Sequence, residues 1–112
     1  MSIGTFLESV ARSKQLVTYQ EIVTKFSLLP LHGNWNSHPL SQIFETLDQE
    51  DANKKRPFRT SVVVHTDKNN MIPGNGYFEA LERLKSTPCR NEAARQAAWI
   101  TELNAAYSFN WP

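Results

Sequence analysis

Phe58-Arg59-Thr60-Ser61-Val62-Val63-Val64-His65, then Thr66-Asp67-Lys68-Asn69-Asn70, then Met71-Ile72-Pro73-Gly74-Asn75-Gly76-Tyr77-Phe78, is the stretch on which the fold turns. The first run is rich in β-branched residues and reads as a strand, the second is turn chemistry, and the third reads as a returning strand. Its proline and two glycines suit an edge or a bulge. Residues 57–78 are therefore expected to form a β-hairpin.

Three helices are expected before the hairpin. Ile3, Phe6, Leu7, Val10 and Ala11 recur at helical spacing between Ser2 and Ser13, with Ser2 as cap. Thr18 followed three residues later by Glu21 is a capping box, and Val17 can staple onto Ile22. That second helix should end before Leu28-Leu29-Pro30. Pro39 suits the first position of a third helix to about Glu50, capped from Asn36, Ser37 or His38. Leu40, Ile43, Phe44 and Leu47 form its inward face, and Ser41, Gln42, Glu45, Thr46, Asp48 and Gln49 its outward one. After the hairpin come a short helix, Glu79–Lys85, and a longer one from Asn91 to about Ala106 with a seam of Ala94, Ala97, Ala98, Ile100, Leu103 and Ala106. The aromatic tail Tyr107-Ser108-Phe109-Asn110-Trp111 should dock on the body. The order predicts an α+β fold of winged helix-turn-helix type, three helices and a hairpin with extra C-terminal helices.

A chain of 112 residues, 40% hydrophobic and 21% charged, has the size and composition of one globular domain. We divide that domain, 1–112, into a three-helix part (1–50), a wing (57–78) and C-terminal helices (79–106). Twelve Lys and Arg against eleven Asp and Glu leave a net charge of +1, which argues against a uniformly basic nucleic-acid coat but permits a local patch. Cys89 is the single cysteine, so neither an internal disulfide nor a multi-cysteine metal centre is expected. No run has the roughly 18–20 apolar residues of a membrane span. The N-terminus reads as no secretory leader, so the expected location is the cytoplasm, with no membrane partner.

Several pieces in order resemble the DNA-binding domain of alkylguanine-DNA alkyltransferases and the non-catalytic alkyltransferase-like proteins. The match runs through Val17-Thr18-Tyr19-Gln20-Glu21-Ile22-Val23, a recognition helix from Pro39, the segment Pro57-Phe58-Arg59-Thr60-Ser61-Val62-Val63 where the family has Pro-Cys-His-Arg-Val-Val, and Pro73-Gly74-Asn75-Gly76-Tyr77-Phe78 with the helix after it. It covers about residues 17–85 and implies a winged-helix-like DNA-binding domain. No Cys stands at the nucleophile's place, so alkyl transfer is not implied. His38-Pro39-Leu40-Ser41-Gln42 lacks the arginine that takes a flipped nucleotide's place, so base flipping is not implied either.

Charge segregation points the same way. Lys54, Lys55, Arg56 and Arg59 crowd the entry to the expected hairpin and Lys68 lies at its tip, positions suited to phosphates. Ser37, Ser41 and Gln42, with Asn36 and His38, could donate to phosphates or base edges, and Trp35 could stack on a base. The same charges also suit a solvated turn and an ordinary exposed helix face. Glu45, Asp48, Glu50 and Asp51 on the third helix would oppose DNA. With the exposed aromatics, Glu45, Asp48 and Asp51 suggest a protein-interaction module instead, such as a bacterial or phage inhibitor or immunity protein. His32, His38, His65 and Cys89 fit no metal-ligand spacing, and no nucleophile, acid–base pair or cofactor loop is legible, so the expectation is a non-enzymatic protein without cofactor or metal. It is expected to act as a monomer or homodimer.

Overall fold

The computed structural model describes residues 2–28, 30, 37–65 and 72–111. They form α1 (Ile3–Arg12), β1 (Val17–Thr18), α2 (Tyr19–Lys25), α3 (Pro39–Asn53), a 3-10 turn (Arg59–Val62), β2 (Val63–Val64), α4 (Asn75–Lys85) and α5 (Glu92–Ser108). No helix among the described residues is long and apolar enough to cross a membrane.

The helix starts follow from local chemistry. The Ser2 hydroxyl accepts from Thr5 N–H at 3.1 Å. Thr18 Oγ1 accepts from Glu21 N–H at 3.0 Å and donates to the Glu21 carboxylate at 3.2 Å. Such a cap stabilises a helix by about 1 kcal/mol. The Nδ1 of His38 accepts from Leu40 N–H at 3.0 Å, so His38 is the cap ahead of Pro39. Asn91 Oδ1 accepts from Ala94 N–H at 2.8 Å and opens α5.

Among the described residues of 57–78 the expected hairpin does not form, and its two arms meet through the His65 N–H, which donates to the Ile72 carbonyl at 3.0 Å. The described residues pair two strands, β1 and β2, and they run parallel, Val17 against Val63 and Thr18 against Val64. Arg59, Thr60 and Ser61 coil into the 3-10 turn because their polar groups are anchored inward. Arg59 N–H donates to Asp51 at 2.9 Å, the Thr60 hydroxyl donates to Asp48 at 2.7 Å, and the Ser61 hydroxyl pairs with the Tyr77 hydroxyl at 2.7 Å. The Trp99 indole N–H donates to the Ser61 carbonyl at 2.8 Å. A strand would turn the Thr60 and Ser61 side chains to opposite faces, and the two hydroxyls could not both keep their partners. Residues 66–71, the expected tip, lie outside the described residues. Asn75–Phe78, expected in the returning strand, are instead the first turn of α4, where Tyr77 and Phe78 join Ala80 and Leu81 on one buried face.

Two apolar clusters meet at β2. One gathers α1, β1, α2 and α3 around Leu7, Ile22, Leu40, Val62 and Val63, with Ala106 and Trp111 closing it. The other holds Phe58, Val64, Tyr77, Phe78, Leu81 and Trp99. Val63 and Val64 sit in different clusters because successive strand residues face opposite ways. The expected seam of α5 is corrected: Trp99, Leu103 and Ala106 turn inward, while Ala97 and Ile100 are exposed. The tail docks as expected, with Trp111 buried and its indole N–H donating to the Ala106 carbonyl at 2.9 Å.

Candidate functional site

Lys54, Lys55, Arg56 and Arg59 do not share a surface. Arg59 is only 5% exposed and forms the centre of an ion network. Its Nε lies 3.2 Å from Asp51, its Nη1 3.1 Å from Glu8 and its Nη2 2.8 Å from Glu50. Arg56 pairs with Asp51 through Nε, and its guanidinium lies over the Trp111 ring at 5.6 Å. The reading of Arg56 and Arg59 as phosphate contacts is thereby corrected, because the fully buried Asp51 requires both. Lys54 and Lys55 are exposed at the exit of α3. Lys68 and Trp35 lie outside the described residues, as do Asn36 and His32. At 1.5 Å per residue, Ser41 sits about 20 Å along the helix from Lys54, so the cations and the polar N-terminal turn occupy opposite ends of α3. Ser37 and Gln42 are exposed, and Ser41 is half-buried.

The acids of α3 are redistributed too. Asp48 and Asp51, expected on a partner-facing surface, are both buried, which corrects that expectation. Phe44 and Leu47 face the core, and one helical step of four residues from each lands on Asp48 and Asp51. Arg59 beside Glu50 holds its carboxyl below the ordinary range. With Asp48 buried and Glu50 and Asp51 in ion pairs, Glu45 is the one exposed acid of α3 that has no ion pair among the described residues. What α3 presents outward is an uncharged stripe, Gln42, Thr46, Gln49 and Asn53, opposite its buried side. Within it Gln49 donates to Asn53 Oδ1 at 2.9 Å.

A cavity of about 1020 Å³ opens between α2, α3 and α4. Tyr19, Phe44 and Tyr77 wall it, and Asp48, Thr60, His65, Gly74 and Arg83 also line it, with the exposed Glu45 and Glu79 at its rim. Burial pushes the Asp48 carboxyl up to about 7, against the hydrogen bond from Thr60, while Asp51 adds to the rise. Burial likewise pushes the Tyr19 hydroxyl up to about 12, although it accepts from Gly74 N–H at 2.9 Å. His65 lies against the Tyr19 ring, centroids 4.9 Å apart. Sequence reading missed this cavity; its legible signal was an acid, Asp48, in the register of an apolar helix face.

Compared with family models, curated proteins and solved structures, the chain matches none. Cys89 is buried, which pushes its thiol up and away from the reactive thiolate. Among the described residues no group of three or more His, Cys, Asp or Glu could hold a metal ion.

Proposed function

We propose that this is a non-enzymatic DNA-binding domain that reads duplex DNA with the outward face of α3. The observation that carries this reading is the withdrawal of three of the four acids of α3, Asp48 and Asp51 into the interior and Glu50 into the pairing with Arg59, with Glu45 left exposed beside the uncharged stripe. That withdrawal leaves amide and hydroxyl groups, the side chains suited to base edges, on a helix of groove-fitting diameter. Lys54 and Lys55 would then contact phosphates at the helix exit. The resemblance of residues 17–85 to alkyltransferase-like domains supports the same assignment of α3, with Gln42, Lys54 and Lys55 kept from the contacts expected in the sequence and Thr46, Gln49 and Asn53 added to them.

The test is fluorescence anisotropy of a labelled duplex across a salt series. Two phosphate-neutralising lysines give a slope of log affinity against log salt of about −1.8, whereas five cations give about −4.5. Lys54→Ala with Lys55→Ala should flatten the slope, and Gln42→Ala with Gln49→Ala should narrow the gap between sequences. No binding at low salt, or binding indifferent to both double variants, overturns the reading.

A further inference from the structure

The cavity between α2, α3 and α4 is not used by the DNA reading. Asp48 on its floor is 4% exposed, and the Thr60 hydroxyl donates to its Oδ1 at 2.7 Å. Its Oδ2 takes no hydrogen bond from the described residues. No sealed side-chain polar atom among them lacks a partner, so Oδ2 opens on the cavity that Asp48 lines. A carboxylate buried so far with one oxygen unmatched is unfavourable, and a ligand donating to it relieves the cost.

The surroundings specify the donor. Among the described residues that line the cavity, the acids Asp48, Glu45 and Glu79 outnumber the cation Arg83, so the space favours positive charge. Tyr19, Phe44 and Tyr77 line the space with aromatic rings, an electron-rich surrounding that suits a delocalised cation. Oδ2 and the remaining lone pair of Oδ1 match two N–H donors set side by side, an arrangement a planar delocalised cation presents and an ammonium does not. We propose that this cavity binds a planar organic cation of the amidinium or guanidinium class, with Asp48 accepting both donors and the aromatic side chains walling the plane.

Titration calorimetry of the intact protein with benzamidine tests this, with benzamide as the neutral control and benzoate as the anion. Benzamidine should bind at least about tenfold tighter than either control, and Asp48→Asn should remove that difference. Asp48→Asn retains an acceptor for Thr60, and circular dichroism checks that it folds. Glu79→Gln, an exposed rim change, should weaken benzamidine several-fold and serves if the first variant fails to fold. Acetyl-arginine amide beside benzamidine separates a peptide side chain from a free aromatic cation as the source.

Asp48 must be ionised to accept both donors. It is faced by Asp51 and Glu45 of α3, by Arg83, Lys85, Glu79 and Tyr77 of α4, by Thr60, and by Tyr19 and His65 across the cavity. With its carboxyl raised to about 7, benzamidine affinity should climb about tenfold between about pH 6 and pH 8. Equal binding of benzamidine and benzamide, no heat with any probe, or an unchanged affinity in both variants overturns the proposal. These measurements contain no DNA, so their failure leaves the α3 assignment standing, and the reverse holds for the anisotropy series.

Discussion

Replacing Asp48 by asparagine should make the protein more stable at neutral pH, by an amount set by the burial of that position. The carboxyl titrates near 3.8 in an unfolded chain and is pushed up to about 7 in the fold. Below the unfolded value both states hold the proton and Asp48 contributes nothing pH-dependent. As pH rises the unfolded chain gives up its proton while the folded one keeps it, so each unit costs about 1.4 kcal/mol. The loss stops near the folded value, after a span of about three units, for a total of about 4 kcal/mol. Contact with the open cavity makes that an upper bound. The substituted amide cannot ionise, and its oxygen still accepts from Thr60. Urea unfolding followed by circular dichroism should show the gap between Asp48→Asn and the parent small near about pH 4 and widening to between about 2 and 4 kcal/mol near about pH 8. Carboxylates not coupled to Asp48 titrate equally in both proteins and cancel. A gap that stays constant with pH, or a variant weaker than the parent at pH 8, refutes the placement of Asp48 as a buried, half-satisfied acid.

Two further outcomes follow from the ion network. Arg59→Ala leaves Asp51 buried with Arg56 and strips Glu8 of its partner, so denaturant unfolding should show a loss of about 3–5 kcal/mol; a loss below about 1 kcal/mol would mean the network is solvated. Gly4→Ala places a methyl 2.8 Å from Arg59 Nη1 and 3.1 Å from Leu47 Cδ2. Displacing a guanidinium tied to several carboxylates should outweigh the gain of up to about 1 kcal/mol in helix propensity, giving a net destabilisation of about 1–2 kcal/mol in the same assay.

How far the sequence foretold this molecule depends on the reach of the interactions. Ser2, Thr18 and Asn91 cap their helices through bonds three residues long, so those starts were readable one segment at a time. The segment Phe58–His65 misled because β-branched composition favours a strand, while the bonds that coil it come from Asp48 and Asp51 of α3, Tyr77 of α4 and Trp99 of α5. None of those partners is visible within the segment. The same distance hid the burial of Arg59, whose partner Glu8 lies on α1. Asp48 is different, because its place four residues after Phe44 puts it in the apolar register of α3, and its charge alone argues for the outward face. Ser37, Gln42, Lys54 and Lys55 are exposed, as a contact surface needs, and they frame α3 at both ends rather than gather at a hairpin.

The pairing of Val17 with Val63 has a kinetic corollary. Two residues on each side join strands that α2, α3 and the 3-10 turn separate along the chain, so the ladder cannot reward the chain until that long loop has closed. Refolding should therefore begin with locally capped helices, and the amide protons that bridge β1 and β2 should be among the last to gain protection from exchange, later than that of Val63, which donates to the Thr60 carbonyl within the 3-10 turn. Because Val63 and Val64 also join the apolar clusters, the step that zips the strands is the one that fuses two half-built interiors into a single cooperative unit.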